Sequence, residues 1–325
     1  MYKVTARNTD YTVKVLNVSD TVLTSFIDFL DVAPLTVKTY KAGIARMMFY
    51  LKEEGITAPT RETITSFKHS LSDCGCKPAT VAAYLSALRR FFDWLESEGL
   101  YPNITRGIKA PKLDKGHKRD FLPAEALQAM MKGIDRSTLE GKRNYAILAL
   151  MATGGLRTVE VVRADVADVS TVGGEPVLFV QGKGRCDKKE FVKLTPPVLA
   201  AIRDYLSERG QVKGNAPLFA SCSHRNKGGR LTTRTISGIA KASMMKAGYS
   251  SDRLTAHSLR HSAVTLALMS GQSLAEVQYF ARHSSINTTM IYAHNVDRLK
   301  SGCEAALSRA VFGVPPLLSC GSLRL

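Results

Sequence analysis

The sequence predicts a mainly α-helical protein with a small β-hairpin insert, arranged in two domains, and three observations lead there. Residues 18–104 repeat apolar side chains at helical spacing in four segments punctuated by Gly and Pro. From Phe121 onward the same spacing recurs, and the segment 143–152 is almost wholly apolar. Two short β-type runs interrupt that pattern, one on each side of GKGRCDKK.

The chain opens on a tail, residues 1–17. Leu23, Phe26, Ile27 and Leu30 then fall at i, i+3, i+4, i+7 behind a Ser19 or Asp20 cap, and Pro34 blocks continuation. Thr36–Glu54 is expected to form a second helix closed by Gly55, and Thr60–Asp73 a third closed by Gly75. The fourth starts at Pro78, sets Val81, Leu85, Leu88, Phe92 and Leu95 on one stripe, and stops before Gly99. Four such helices with short turns make a small all-α domain over 18–104. The stretch Tyr101–Asp120 holds two prolines, two glycines, many Lys and Arg and no apolar period. It reads as an exposed basic linker, bounded at 105–120.

In the second domain, 121–302, helices are expected at Pro123–Ile134 and Arg143–Ala152, then strands at Pro176–Gln181 and Glu190–Leu194. Further helices follow at Pro197–Glu208, Thr233–Ala247, Ser258–Ser270, Leu274–Ala281 and Asn287–His294. A tail, 303–325, carries a weak helix at Glu304–Phe312.

Composition narrows the class. Of 325 residues, 45% are apolar and 22% charged, which excludes a disordered chain. No window approaches ~18 consecutive apolar residues, and the N-terminus lacks the apolar core of a signal peptide, so a cytoplasmic protein with no membrane partner is expected. The six cysteines never form C-x-x-C, and Cys74/Cys76 has no second pair to complete a zinc site; reduced structural thiols are the reading. The net charge is +17, and residues 111–325 hold 31 basic against 17 acidic side chains. Such an excess favours a polyanionic partner.

Four segments of the second domain carry residues that packing does not explain. In TGGLRTVEV, 153–161, two glycines end the apolar helix and Arg157 opens the next. An Arg there opposes the helix dipole unless an anion binds, or else it pairs with Glu160 at i+3. Lys183 sits between two glycines in the hairpin turn, either solvated or reaching a bound ligand. His257, Arg260 and His261 share one helical turn in TAHSLRH; two histidines at i, i+4 suit a metal, but the guanidinium on the same face favours phosphate. In FARHSSINTTMIYAH, His283 lies in a polar turn and Tyr292 nine residues on. A tyrosine beside two arginines, a lysine and two histidines suits nucleophilic attack on phosphate, because those cations stabilise a pentacoordinate dianion and activate the phenol.

TGGLRTVEV, HSLRH and SINTTMIYAH, in this order and with a lysine hairpin between the first two, resemble the tyrosine recombinase (phage-integrase-type) family over roughly residues 18–300. The resemblance implies a helical SAM-like N-terminal core-binding domain, a tyrosine-recombinase catalytic domain and the simple two-domain form. It implies that Arg157 and Arg260 clamp the scissile phosphate and that Lys183 protonates the leaving 5′-oxygen. His257 would hydrogen-bond the phosphate and act as general base, His283 would hydrogen-bond the transition state, Glu160 would support the site from behind, and Tyr292 would be the nucleophile, with Tyr279 and Tyr249 as fallbacks. It implies double-stranded DNA as substrate, no cofactor or metal, a homo-tetramer on two DNA sites with a dimer per site, and room for accessory DNA-binding proteins. The tail 303–325 would dock on a neighbouring protomer. One departure stands out: the family usually has Leu-Gly before the second histidine, and this chain has Ala281-Arg282, an arginine placed to alter the turn or to contact DNA. A type IB topoisomerase and a non-catalytic DNA-binding regulator are the alternatives.

Overall fold

The computed structural model describes residues 15–112, 120–182, 187–300 and 303–313. The N-terminal tail before Val15, part of the basic linker, the tip of the hairpin and the end of the C-terminal tail lie outside the described residues. The chain divides into two units, Met1–Gly116 and His117–Leu325. No helix among the described residues is long and apolar enough to cross a membrane.

The first unit is built from α1 (Asp20–Phe29), α2 (Pro34–Glu53), α3 (Arg61–Asp73) and α4 (Pro78–Ser97). Local chemistry sets the starts: Ser19 Oγ accepts from the Val22 amide to cap α1, and Pro34 and Pro78 open α2 and α4, where a missing N–H costs nothing. Pro34, read from the sequence as a stop, is therefore also the next start. The core gathers Phe26, Ile44, Met47, Phe67, Leu88, Phe91 and Trp94; Phe26 meets Phe91 edge-on at 5.0 Å and Trp94 at 5.5 Å. Residues 101–108 depart from the exposed linker expected of them. Tyr101, Thr105 and Ile108 are buried, Tyr101 Oη donates to the Pro59 carbonyl at 2.8 Å, Arg89 donates to the Ile108 carbonyl at 2.6 Å, and Arg106 pairs with Glu96. A few apolar anchors too sparse to show a period suffice to seat this stretch on the helices.

The second unit runs α5 (Ala124–Lys132), α6 (Leu139–Gly154), α7 (Thr158–Arg163), β1 (Val169–Val172), β2 (Glu175–Val180), β3 (Glu190–Lys193), α8 (Pro196–Arg209), α9 (Thr233–Lys246), α10 (Ala256–Met269), α11 (Leu274–Ala281), α12 (Ile286–Lys300) and α13 (Cys303–Phe312). Helix α6, buried over most of its length, is the centre of the core, with α8 and α10 packed on it. The insert is a three-stranded antiparallel sheet in the order β1-β2-β3, one strand more than the sequence reading gave. Val169 pairs with Leu178 and Val172 with Glu175 across the Gly173-Gly174 turn, both glycines at positive φ; Val177 pairs with Lys193 and Val180 with Glu190. Beyond β2 the hairpin is tied down by Lys188, whose Nζ bridges Asp165 at 2.6 Å and Asp168 at 2.5 Å. A smaller apolar cluster, Val264, Leu268, Val277, Ala281, Tyr292 and Val296, joins α10, α11 and α12. Helix α12 continues to Lys300, past the expected end at His294, and α13 leaves Leu307, Val311 and Phe312 exposed.

Candidate active site

Five of the seven site residues predicted from sequence converge in the second unit from four elements. Arg157 is the N-cap of α7, Glu160 lies in its first turn, Arg260 is on α10, His283 follows α11, and Tyr292 is on α12. His257 is one turn before Arg260 and exposed, close enough that its charge acts on His283. Lys183 lies outside the described residues.

The floor of the site is the end of α6. Gly155 adopts φ 58°, and a Cβ there would meet the Phe280 ring at 3.2 Å. This bare backbone turn presents the Gly155 carbonyl, which accepts from Arg260 Nη1 at 2.5 Å, while Arg260 Nη2 donates to the Ala281 carbonyl. Arg260 is 1% exposed, and both acceptors described for it are backbone carbonyls. Burial, with Arg157 and Arg282 adding like charge, pulls its guanidinium down to about 9, so it remains a cation at pH 7. A buried cation held by neutral carbonyls keeps its positive potential available for an anion.

Arg157 takes the Glu160 pairing that its sequence position offers. Its Nη1 pairs with Glu160 Oε1 at 2.8 Å, its backbone N–H donates to Glu160 Oε2 at 2.8 Å, and the guanidinium is still a quarter exposed. Glu160 is fully buried. Burial raises its carboxyl, but the charges of Arg282 and Arg157 and their hydrogen bonds outweigh this and hold it below the usual carboxylate range.

Tyr292 is almost enclosed. Its ring meets that of His261 edge-on at 4.8 Å and lies 6.0 Å from that of His283, near-parallel. His283 donates or accepts at Nδ1 with Thr289 Oγ at 2.9 Å. Burial first, then Arg260, Arg157, Arg282 and His257, pushes its imidazole down to about 4, so His283 is neutral at pH 7. Of the fallback tyrosines, Tyr279 is 82% exposed on α11 and borders the cleft beside Arg157 and His283, whereas Tyr249 packs against the main core. This cleft of about 380 Å³ opens on the Arg157 side, bordered by Arg282, His283, Gln278, Gly182 and Glu190.

Three residues join the site that the sequence reading did not assign to it. His261, treated there only as half of a metal pair, packs between Tyr292 and Phe121, whose ring it stacks on at 5.9 Å. Thr289, in the Thr-Thr-x-x-Tyr segment, holds His283. Arg282 does not reach outward toward DNA: its side chain folds inward and pairs with Glu160 at 3.0 Å.

Comparison with known proteins gives the family and the fold. The model of the phage integrase family matches residues 120–298, and that of the phage integrase N-terminal SAM-like domain matches residues 23–99. Tyrosine recombinase XerC of Myxococcus xanthus is 30% identical over 269 residues, covering 80% of this chain and 87% of that relative. Tyrosine recombinase XerD of Lacticaseibacillus casei is 31% identical over 284 residues, covering 84% and 93%. Among solved structures, the XerH site-specific recombinase bound to a palindromic difH substrate shares the fold, with a TM-score of 0.69 at 23% identity over 84% of this chain and 79% of that one. A lambda integrase dimer bound to a COC' core site gives 0.64 at 17% identity, over 84% and 76%. Fold and relatives define a site-specific recombinase, an enzyme that cleaves and rejoins DNA strands. The chain belongs to the phage integrase family, the tyrosine recombinases.

Proposed function

We propose that Tyr292 is the nucleophile of this recombinase and that the reaction runs through a 3′-phosphotyrosine. The observation that carries the reading is the convergence of Arg157, Arg260, His283 and Tyr292, from four elements, on one buried spot with surplus positive charge. Arg157 and Arg260 neutralise the non-bridging oxygens of the scissile phosphate. Tyr292 Oη attacks phosphorus, its proton passing to His257, while the bond to the 5′-oxygen breaks and Lys183 supplies the proton that makes the 5′-hydroxyl. His283, neutral, hydrogen-bonds the transition state, and Glu160 holds Arg157. A 5′-hydroxyl of the partner duplex then attacks the phosphotyrosine and releases Tyr292, so the number of phosphodiester bonds is conserved and no external energy source is required.

The substrate is double-stranded DNA, and the basic excess of the chain suits its phosphates. Four protomers work on two sites, a dimer per site, and the reaction integrates, excises or resolves a DNA element. The apolar side chains exposed on α13 suit docking of the tail on a neighbouring protomer. The test is a pair of DNA duplexes, each carrying the recombination site, incubated with the full chain. Two-site products from the parent protein and none from Tyr292→Phe are expected. Relaxation of supercoils without any two-site product would contradict the assignment and favour a topoisomerase.

A further inference from the structure

Arg282 has no part in the reaction as written above, yet it is wired into the site more densely than any other side chain there. It is the only described residue other than glycine at positive φ, 53°, where it ends α11. Glycine suits this conformation better, so the backbone gains nothing from an arginine; whatever Arg282 contributes comes from its side chain. That side chain is 6% exposed. Its Nη1 donates to the carbonyls of Phe280 at 2.7 Å and Gly154 at 3.5 Å, and its Nη2 donates to the Gly155 carbonyl at 3.2 Å and Glu160 Oε2 at 3.0 Å. Four protein oxygens thus accept from the four terminal N–H bonds, and Nε, buried and without a hydrogen-bond partner, is the one donor left over.

Two of these four partners, Gly155 and Glu160, are shared with the two arginines that do face the reaction. Gly155 O also receives Arg260 Nη1, Glu160 also receives Arg157 Nη1, the Ala281 carbonyl receives Arg260 Nη2, and the carbonyl of Arg282 itself receives Arg157 Nη2 at 3.3 Å. We propose that Arg282 is a positioning residue that locks Glu160, Gly155 and its own turn in place, so that Arg157 and Arg260 are fixed as a clamp before DNA arrives. The proposal rests on the assignment of those two arginines to the scissile phosphate. A guanidinium here does with side-chain hydrogen bonds what a glycine turn leaves to the backbone.

The test measures covalent adduct formation on a nicked suicide duplex at saturating DNA, alongside the Kd of the same duplex, for the full chain and for Arg282→Gly and Arg282→Lys. Glycine accepts φ 53°, so the turn survives. The adduct rate is expected to fall roughly tenfold to a hundredfold in Arg282→Gly, as a misplaced reacting group costs, with Kd within about threefold, and Arg282→Lys should recover part of the loss. In an Arg157→Lys background the glycine substitution should slow the reaction much less, because its target is already disturbed. An unchanged rate in Arg282→Gly overturns the proposal, and so does a loss that multiplies fully with that of Arg157→Lys, which would make Arg282 an independent phosphate ligand. If Arg282→Gly does not fold, Arg282→Lys decides: a rate equal to the parent's overturns the proposal. Should the parent form no Tyr292-dependent adduct at all, the assignment of the reaction fails instead.

Discussion

Replacing Glu160 with glutamine probes the electrostatic frame of the site. The carboxylate is fully buried and accepts three charge-assisted hydrogen bonds, from Arg157 Nη1 at 2.8 Å, the Arg157 amide at 2.8 Å and Arg282 Nη2 at 3.0 Å. A carboxamide keeps one acceptor oxygen and turns an NH2 group toward a guanidinium, so at least one guanidinium faces a donor and both lose their counter-charge. Breaking a buried ion pair from one side costs about 3–5 kcal/mol. For a unit of this size each kcal/mol moves the midpoint by roughly 2–4 °C, so Glu160→Gln should lower the melting temperature of the catalytic unit by about 6–20 °C at pH 7. Scanning calorimetry of the full chain separates this transition from that of the helical unit. The pH dependence supplies a second check. Because the folded carboxyl is held below its ordinary 4.5, its stabilisation is whole above that pH and is lost as pH falls through the folded value. The difference between parent and variant should therefore shrink in acid. A loss under about 1 kcal/mol at pH 7, or a gap independent of pH, would refute the reasoning.

Three further outcomes are expected. The His283 imidazole, followed by NMR, should titrate near 4; its contribution to stability is whole above 6.5 and declines as pH falls from 6.5 toward about 4, and a midpoint at the ordinary 6.5 would contradict the burial and charge argument. Gly155→Ala forces an L-residue to φ 58° and sets a methyl 3.2 Å from Phe280, so denaturant melts should show a loss of about 1–3 kcal/mol, while a neutral result would mean the turn is not fixed as described. Phe26→Ala removes a fully buried ring from the contacts with Phe91 and Trp94, and should destabilise the helical unit by about 3–5 kcal/mol; since Trp94 is the sole tryptophan, its fluorescence reports this unit alone.

Much of the architecture was legible because it is written locally. Ser19, Pro78 and the stripe from Val81 to Leu95 determine helix starts and buried faces from nearest neighbours, and α11 spans the Leu274–Ala281 expected of it, with Ser273 as its cap. Strand β1 was passed over although Val-Ser-Thr-Val before Gly-Gly carries a hairpin signature: only four residues long and exposed along most of its length, it shows no apolar alternation. The seating of Tyr101, Thr105 and Ile108 was hidden for a similar reason, since single anchors in a Lys- and Arg-rich stretch carry no period. At the site, residue types and order named Arg157, Glu160, His257, Arg260, His283 and Tyr292, but not how they are held. The Gly155 carbonyl that receives two arginines, the His261 ring against Tyr292 and the inward fold of Arg282 depend on contacts between residues 20 to 130 positions apart, for which one sequence holds no signal.

The central claim is that Tyr292 carries the DNA. After incubation of the full chain with a nicked suicide duplex bearing its recombination site, the covalent adduct is digested with trypsin and nuclease, and the modified peptide is identified by mass spectrometry. Cleavage after Arg282 and Arg298 gives a peptide, residues 283–298, whose only tyrosine is Tyr292, while Tyr279 falls in the preceding one. The account predicts a nucleotide mass on peptide 283–298 and no adduct from Tyr292→Phe. A modified Tyr279 or Tyr249, or an adduct that persists in Tyr292→Phe, would contradict it.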